Sequence, residues 1–334
     1  EIKDFIFTGF GTIVALVFVF LPLKKMSQTT QHILMIRPKH FSFNAETAAN
    51  NSFQQQDKQI DAQTVSSIAI VEFDAFVQKL RSQGIDVIVV EDTDTPIKPD
   101  AVFPNNWISF HEDGLVLTYP MYSTNRRIER RPDIIEQLKT RFLVNKDYTF
   151  EHYEEDGIFL AGTGSLILDR ENKIVYANLS ARTDLRLLDK WCVLTGYRKV
   201  YFLARDKQGA DIYHTNVVMS LGHDFCVICL ECIPESPEKK QLITVLQETG
   251  KEIIEISMDQ LEQFAGNMLE VNNAKGNHFL VMSTTAYNSL RPDQIECIEK
   301  RATIITGDIP TIEKNGGGSV RCMMAEIFLP LKSV

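Results

Sequence analysis

Cysteine is scarce in this chain, with six in 334 residues. That is too few for a disulfide framework at this length, and it suits a reducing compartment. Basic charge is short as well. The formal net charge is −9 and no basic run stands out, which argues against nucleic acid as a partner. Neither a phosphate loop nor a dinucleotide fingerprint is present, and no cofactor is expected. What remains is ordinary for a globular protein: 44% hydrophobic and 24% charged residues. The length allows one large domain or two smaller ones.

One long apolar run breaks this pattern. Residues 5–23 carry no charge and are followed by Lys24-Lys25 and then Met26. Two readings stand. For the segment 1–26, either Met26 is the start and the stretch before it is an extension, or residues 5–23 anchor the body of the protein to the cytoplasmic face of a membrane. In both, the domain starting at residue 27 is expected to be cytoplasmic, and a membrane is a partner only in the second.

Residues 31–37 read as a first strand stopped by Pro38. Residues 44–59 are polar and rich in Asn and Gln, a loop long enough for a lid or gate, or a plain surface loop. Residues 65–83 have apolar positions at helical spacing (Ile68, Val71, Phe76, Leu80) and end at Gly84. A buried strand follows at 85–90.

From there a pattern recurs. Polar, turn-prone tips centred on Asn105, Gly162, Thr215, Gly266 and Gly317 are separated by 57, 53, 51 and 51 residues. Each tip leads into a strand, usually a second strand, a helix (124–142, 184–195, 237–249 and 291–300), and a further strand. This predicts a ββαβ unit used five times, with residues 31–90 supplying the missing parts. The expected fold is α/β, a five-bladed propeller with pseudo-fivefold symmetry, and residues 27–334 form a single domain.

If the tips converge, Asn105, Asn106, Ala161, His214, Asn216, Asn267 and Cys322 share one site. The glycines at 316–318 can take backbone angles closed to other residues and leave the thiol of Cys322 uncrowded. A cysteine with a histidine is the minimum for nucleophilic catalysis: the imidazole moves protons and the thiolate attacks an electrophilic carbon. A second sulfur pattern, His223, Cys226, Cys229 and Cys232, resembles part of an iron–sulfur spacing. Ser236 stands where a fourth cysteine would be, and the run reads as a buried strand without metal.

The motifs PDAVFPNNW (99–107), RRIERR (126–131), GTGSLILDR (162–170), YHTN (213–216), AGNMLEV (265–271) and GGGSVRCMMAEIFLP (316–330) occur in that order. Together they resemble the pentein, or guanidine-modifying, superfamily of arginine deiminases, dimethylarginine dimethylaminohydrolases and amidinotransferases. The branch most similar is the amidinotransferase-like one regarded as citrulline-utilising hydrolases. The resemblance implies that Cys322 attacks a guanidino or ureido carbon and that His214 protonates the leaving amine and then activates water. It implies an acidic residue where this chain has Ala161, with Glu155, Asp156 or Asp211 as candidates to replace it. It also implies that Arg127 and Arg182 grip the substrate α-carboxylate.

Deiminases of this kind typically carry acidic residues at the positions of Asn106 and Asn216. An amide matches a neutral ureido group, which offers a carbonyl and N–H donors, whereas a guanidinium wants carboxylates. The expected activity is therefore hydrolysis of a C–N bond in a small-molecule amino acid, citrulline before arginine or methylarginine. Amidino transfer and a catalytically silent ligand-binding protein are the alternatives, and a homo-oligomer is compatible with either.

Overall fold

Fifteen strands make five three-stranded sheets in the computed structural model, which describes residues 26–56 and 58–332. All five sheets have one plan: an inner strand pairs antiparallel with a middle strand, which pairs parallel with an outer one. The inner strands Ile108–Phe110, Ile167–Asp169, Met219–Leu221, Leu269–Asn272 and Ala325–Glu326 are the members that follow the tips. The last sheet is made from both ends of the chain, because Ala325–Glu326 pairs with His32–Arg37, which in turn pairs with Asp86–Glu91. That pairing closes the ring.

Parallel pairing demands a crossover, and the helices supply it. Ala62–Ser82 begins at Asp61, whose side chain accepts the Thr64 N–H, three residues before the periodicity suggests. It buries Phe73, Phe76, Val77 and Leu80 against its sheet and ends ahead of Gly84, at φ +80°. Pro237–Glu248 starts at a Ser236 cap, and Leu185–Thr195 at an Asp184 cap. Four apolar clusters fill the spaces between sheets and helices.

Three expectations are corrected. The helix expected over 124–142 is two pieces, a 3-10 turn Thr124–Glu129 and an α-helix Pro132–Lys139. Pro132 forces the preceding Arg131 into an extended conformation (φ −125°, ψ 101°), which interrupts the winding. A strand, Lys146–Thr149, completes the first repeat; its four residues are all exposed and carry no apolar run, so pairing alone creates it. The tips are also less simple than a loop running into a strand. Short helical turns, Pro104–Asn106, Gly162–Ser165 and Thr215–Val218, contain or begin at the tip residues and lead to the inner strand. Among the described residues no helix is long and apolar enough to cross a membrane. The apolar run at 5–23 lies outside the described residues.

Candidate active site

Cys322 is set by the loop ahead of it. Helix Pro310–Gly316 ends on Gly317 in the left-handed region, φ +62°, where a Cβ would fall 2.5 Å from Asn51 Nδ2. The neighbouring Gly316 packs on the Phe103 ring, where a Cβ would approach to 2.7 Å. The Cys322 N–H then closes a turn onto the Ser319 carbonyl at 2.9 Å. Its Sγ receives two amide donors, Asn216 Nδ2 and Asn267 Nδ2, both at 3.4 Å. Asn267 cannot flip: Oδ1 accepts the Arg321 N–H at 3.1 Å while Nδ2 also donates to the Asn216 carbonyl at 2.8 Å. Two N–H groups are thus aimed at one sulfur.

His214 is the residue ahead of helix Thr215–Val218, held extended at φ −134°, ψ 148°. Its ring lies beside that of Tyr213, centroids 4.6 Å apart, and against Gly164. Its Nε2 has no partner. Burial, with Arg182 and Arg126 nearby, pushes the imidazole well below its ordinary 6.5, so it is neutral at pH 7. A Cβ on Gly164 would sit 2.8 Å from His214 Nδ1 and 2.6 Å from Asn106 Nδ2. Gly164→Ala is therefore expected to displace both side chains and to destabilise the protein by about 1–3 kcal/mol. Thermal melting and turnover check this, and both should fall together.

Cys322 and His214 line a common small cavity of about 20 Å3, together with Asp100, Asn106, Arg126 and Arg182. A groove of about 720 Å3 bordered by Arg81, Asn273 and Lys300 is far larger, but none of the tip residues lines it. The small cavity is capped by the segment 44–56. Asn51 Nδ2 donates to the Gly317 carbonyl (3.2 Å), Gln54 Nε2 to the Asn315 carbonyl (2.8 Å) and Gln55 N to the Lys314 carbonyl (2.7 Å). Phe53 packs between the rings of Tyr213 and Phe264. Such a volume is close to that of one water, and Thr47 and Asn51 of this segment are among the residues that line it. The segment also contains a short helix, Ala45–Ala48, capped by Asn44, where a plain loop is expected.

The two cations are not the expected pair. Arg182 is in the wall. It donates to the Thr47 carbonyl at 3.2 Å and to Asn50 Oδ1, and it sits over the Tyr213 ring at 4.9 Å. Burial pulls it down to about 10, still charged at neutral pH. Arg127 is not. It points outward to Glu154 (3.2 Å) and the Met121 carbonyl (3.2 Å) and borders a different cavity. Arg126 occupies the site instead: Nη1 donates to Asn106 Oδ1 at 2.8 Å and Nε to Glu129 at 2.8 Å. In the 3-10 turn of residues 124–129, adjacent residues face well apart, so one of two neighbouring arginines goes in and the other out. Burial pushes the Glu129 carboxyl up to about 7, against the pull of Arg126.

Asp100 is the acidic group in the cavity. It accepts from Asn44 Nδ2 at 2.7 Å and lies 3.7 Å from Arg126, while Oδ1 has no partner. Burial raises its carboxyl. It sits inside the PDAVFPNNW motif, so the signal was available in the sequence. Ala161 is buried at the head of helix Gly162–Ser165, its N–H shared by Ser165 Oγ (2.9 Å) and the Arg182 carbonyl (3.1 Å), and it is not in the cavity lining. None of the three candidate replacements reaches the cavity lining. Glu155 and Asp156 are exposed just after the turn Glu151–Glu154, and Asp211 pairs with Arg205 at 3.5 Å. Asn105 and Asn106 are buried side by side, Asn106 Nδ2 donating to Asn105 Oδ1 at 3.0 Å. Asn105 Nδ2 and Asn216 Oδ1 have no partners.

The second sulfur pattern does not converge. His223 turns to Glu171 at 3.0 Å, and Cys232 Sγ donates to the Cys229 carbonyl at 3.0 Å. Among the described residues no group of three His, Cys, Asp or Glu is placed to hold a metal ion.

Five sheets of one plan, with residues of the first, third and fifth tips lining one cavity and Asn267 of the fourth bonded to Cys322, match the architecture of the pentein superfamily of arginine-modifying enzymes. Residues 37–329 match the family described as N,N dimethylarginine dimethylhydrolase, eukaryotic, and the chain belongs to it. Solved structures with this fold include the substrate-bound N-terminal domain of ArgZ, an arginine dihydrolase from the ornithine-ammonia cycle in Cyanobacteria (TM-score 0.69, 16% identity, covering 90% of this chain and 98% of that one). Another is AgrE in ternary complex with ornithine and NAD+ (TM-score 0.69, 16% identity, 92% of this chain and 40% of that one). A dimethylarginine dimethylaminohydrolase adduct with S-methyl-L-thiocitrulline has TM-score 0.60 at 16% identity, covering 90% of this chain and all of that one. At these identities the likeness is one of fold. No curated protein matches the chain.

Proposed function

We propose that residues 27–334 act as a single catalytic domain that hydrolyses a C–N bond of a ureido or guanidino amino acid, citrulline first, through a covalent bond to Cys322. The observation that carries this reading is the thiol held by two amide N–H donors in one small cavity with a neutral, unpartnered His214. In the first step Sγ forms a C–S bond to the ureido carbon. The thiol proton passes through His214 to the departing amine, which leaves as ornithine. Water, deprotonated by His214, then cleaves the S-carbamoyl bond, and the carbamate released decomposes to carbon dioxide and ammonia.

Buried polar atoms without partners are costly, about 1–3 kcal/mol each, and they fit a ligand of complementary polarity. Asn216 Oδ1, beside the thiol, suits a ureido N–H. Asp100 Oδ1 and Arg182 Nε, both unpartnered, suit the α-amino and α-carboxylate groups of an amino acid. The thiol's own partners are amides, which supports a neutral ureido group over a guanidinium.

One observation favours a second reading, a protein that binds this ligand without turning it over: the methyl of Ala161 cannot balance a developing cation. Incubation with citrulline and with arginine, followed by assays of ornithine and ammonia, separates the two. Slow turnover of citrulline is expected, and Ala161→Glu should raise kcat by about 100-fold or more. Turnover of arginine but not citrulline would overturn the substrate assignment. Turnover by neither protein would leave the binding reading.

A further inference from the structure

The three glycines at 316–318 have no side chains with which to hold their own shape, yet the thiol beyond them is aimed at two amides within a fixed distance. Something else must brace the loop. Glu313, in helix Pro310–Gly316, touches it at both ends. Its backbone carbonyl accepts the Gly317 N–H at 2.8 Å, and its Oε1 accepts the Ser319 hydroxyl at 2.6 Å. Ser319 in turn offers its carbonyl to the Cys322 N–H at 2.9 Å. The other carboxylate oxygen, Oε2, accepts the hydroxyl of Thr285 at 2.6 Å, from helix Thr284–Ser289 of the neighbouring repeat.

The carboxyl is 3% exposed. Burial raises it, while the hydroxyls of Ser319 and Thr285 pull the other way. Among the described residues no arginine or lysine is bonded to it, and the hydroxyls of Ser319, Thr285 and Ser283 hold it in place of a cation. Ordinary helix capping does not require that arrangement. It does serve to pin one side of a glycine loop to a rigid neighbour. It also commits the Ser319 hydroxyl as a donor to Glu313, which keeps it from competing at the thiol.

We infer that Glu313, acting through Ser319, is a positioning residue: it holds the glycine loop so that Cys322 Sγ stays between Asn216 and Asn267. The inference rests on the reading of Cys322 as the nucleophile. It goes beyond that reading by assigning a task to a carboxylate that touches neither the cavity nor the thiol. An error of about 1 Å in a reacting atom costs about 100-fold in rate, so the effect belongs in kcat rather than in substrate affinity.

The test uses the full chain with Ser319→Ala and Glu313→Gln, and Ser319→Thr as the conservative variant that keeps the hydroxyl. Three readouts are needed: thermal melting, kcat and KM for citrulline, and iodoacetamide labelling of Cys322 relative to Cys297 by peptide mass spectrometry. In the first two variants kcat should fall about 10–100-fold with KM within about threefold. Labelling of Cys322 should slow about fivefold as the sulfur loses its alignment between the two amides. Ser319→Thr should stay near the parent in both. Unchanged or faster labelling of Cys322 in folded Ser319→Ala and Glu313→Gln would overturn the inference. A parent chain without turnover would defeat the functional reading alone, because labelling still reports on the loop.

Discussion

Cys322→Ser should lower citrulline turnover by about 10^4-fold or more while leaving the fold intact. The side chain is 3% exposed and the change is nearly isosteric, so melting should move little. The chemistry changes far more. A serine hydroxyl is a much weaker acid than a thiol, and a neutral imidazole with a depressed proton affinity is a poor base for it. The two amide donors sit at 3.4 Å, a distance that suits sulfur and is long for oxygen. Turnover is read from ammonia release. Mass spectrometry should detect a covalent adduct on the parent and none on the variant. Full activity in Cys322→Ser would sink the covalent mechanism.

His214→Asn is the second large effect, with an expected loss of about 10^2–10^4-fold in kcat, the usual range for removing a positioned acid–base group. The imidazole is neutral because burial and the cations Arg182 and Arg126 disfavour the charged form. Only the neutral ring can take the thiol proton, so activity should survive acidification past 6.5, the ordinary histidine value, and decline only well below it. In His214→Asn this acid limb should vanish. The double variant with Cys322→Ser should be no worse than Cys322→Ser alone, because the two groups act as a unit. An acid limb that persists in His214→Asn would assign it to another group.

Much of the fold was legible, because repetition carries it. A spacing near 50 residues between polar tips, each followed by strand and helix signals, is a property of sequence order and survives errors at any one element. The misread elements have local causes. Lys146–Thr149 is exposed and lacks an apolar run, so only its partner Leu115–Thr118 makes it a strand. The break at Arg131 follows from Pro132, whose effect on the preceding residue competes with a helical pattern on both sides. In the site, the tips name Cys322, His214, Asn106, Asn216 and Asn267 without difficulty, since tips of equivalent units must meet. Arg126 and Arg127 could not be told apart, because which neighbour turns inward depends on the phase of a 3-10 turn.

By itself the sequence determined the repeat, the order of the elements and the residue types at the tips, because each is encoded within a few residues or by spacing along the chain. Tertiary structure alone decided that Arg126 rather than Arg127 meets Asn106, and it singled out Asp100 of the PDAVFPNNW motif as the carboxylate in the cavity. It also decided that segment 44–56 caps the cavity and that Glu313 braces the loop of Cys322. Each of these is a contact between side chains or segments from different parts of the chain, and its distance and direction exist only once the ring has closed.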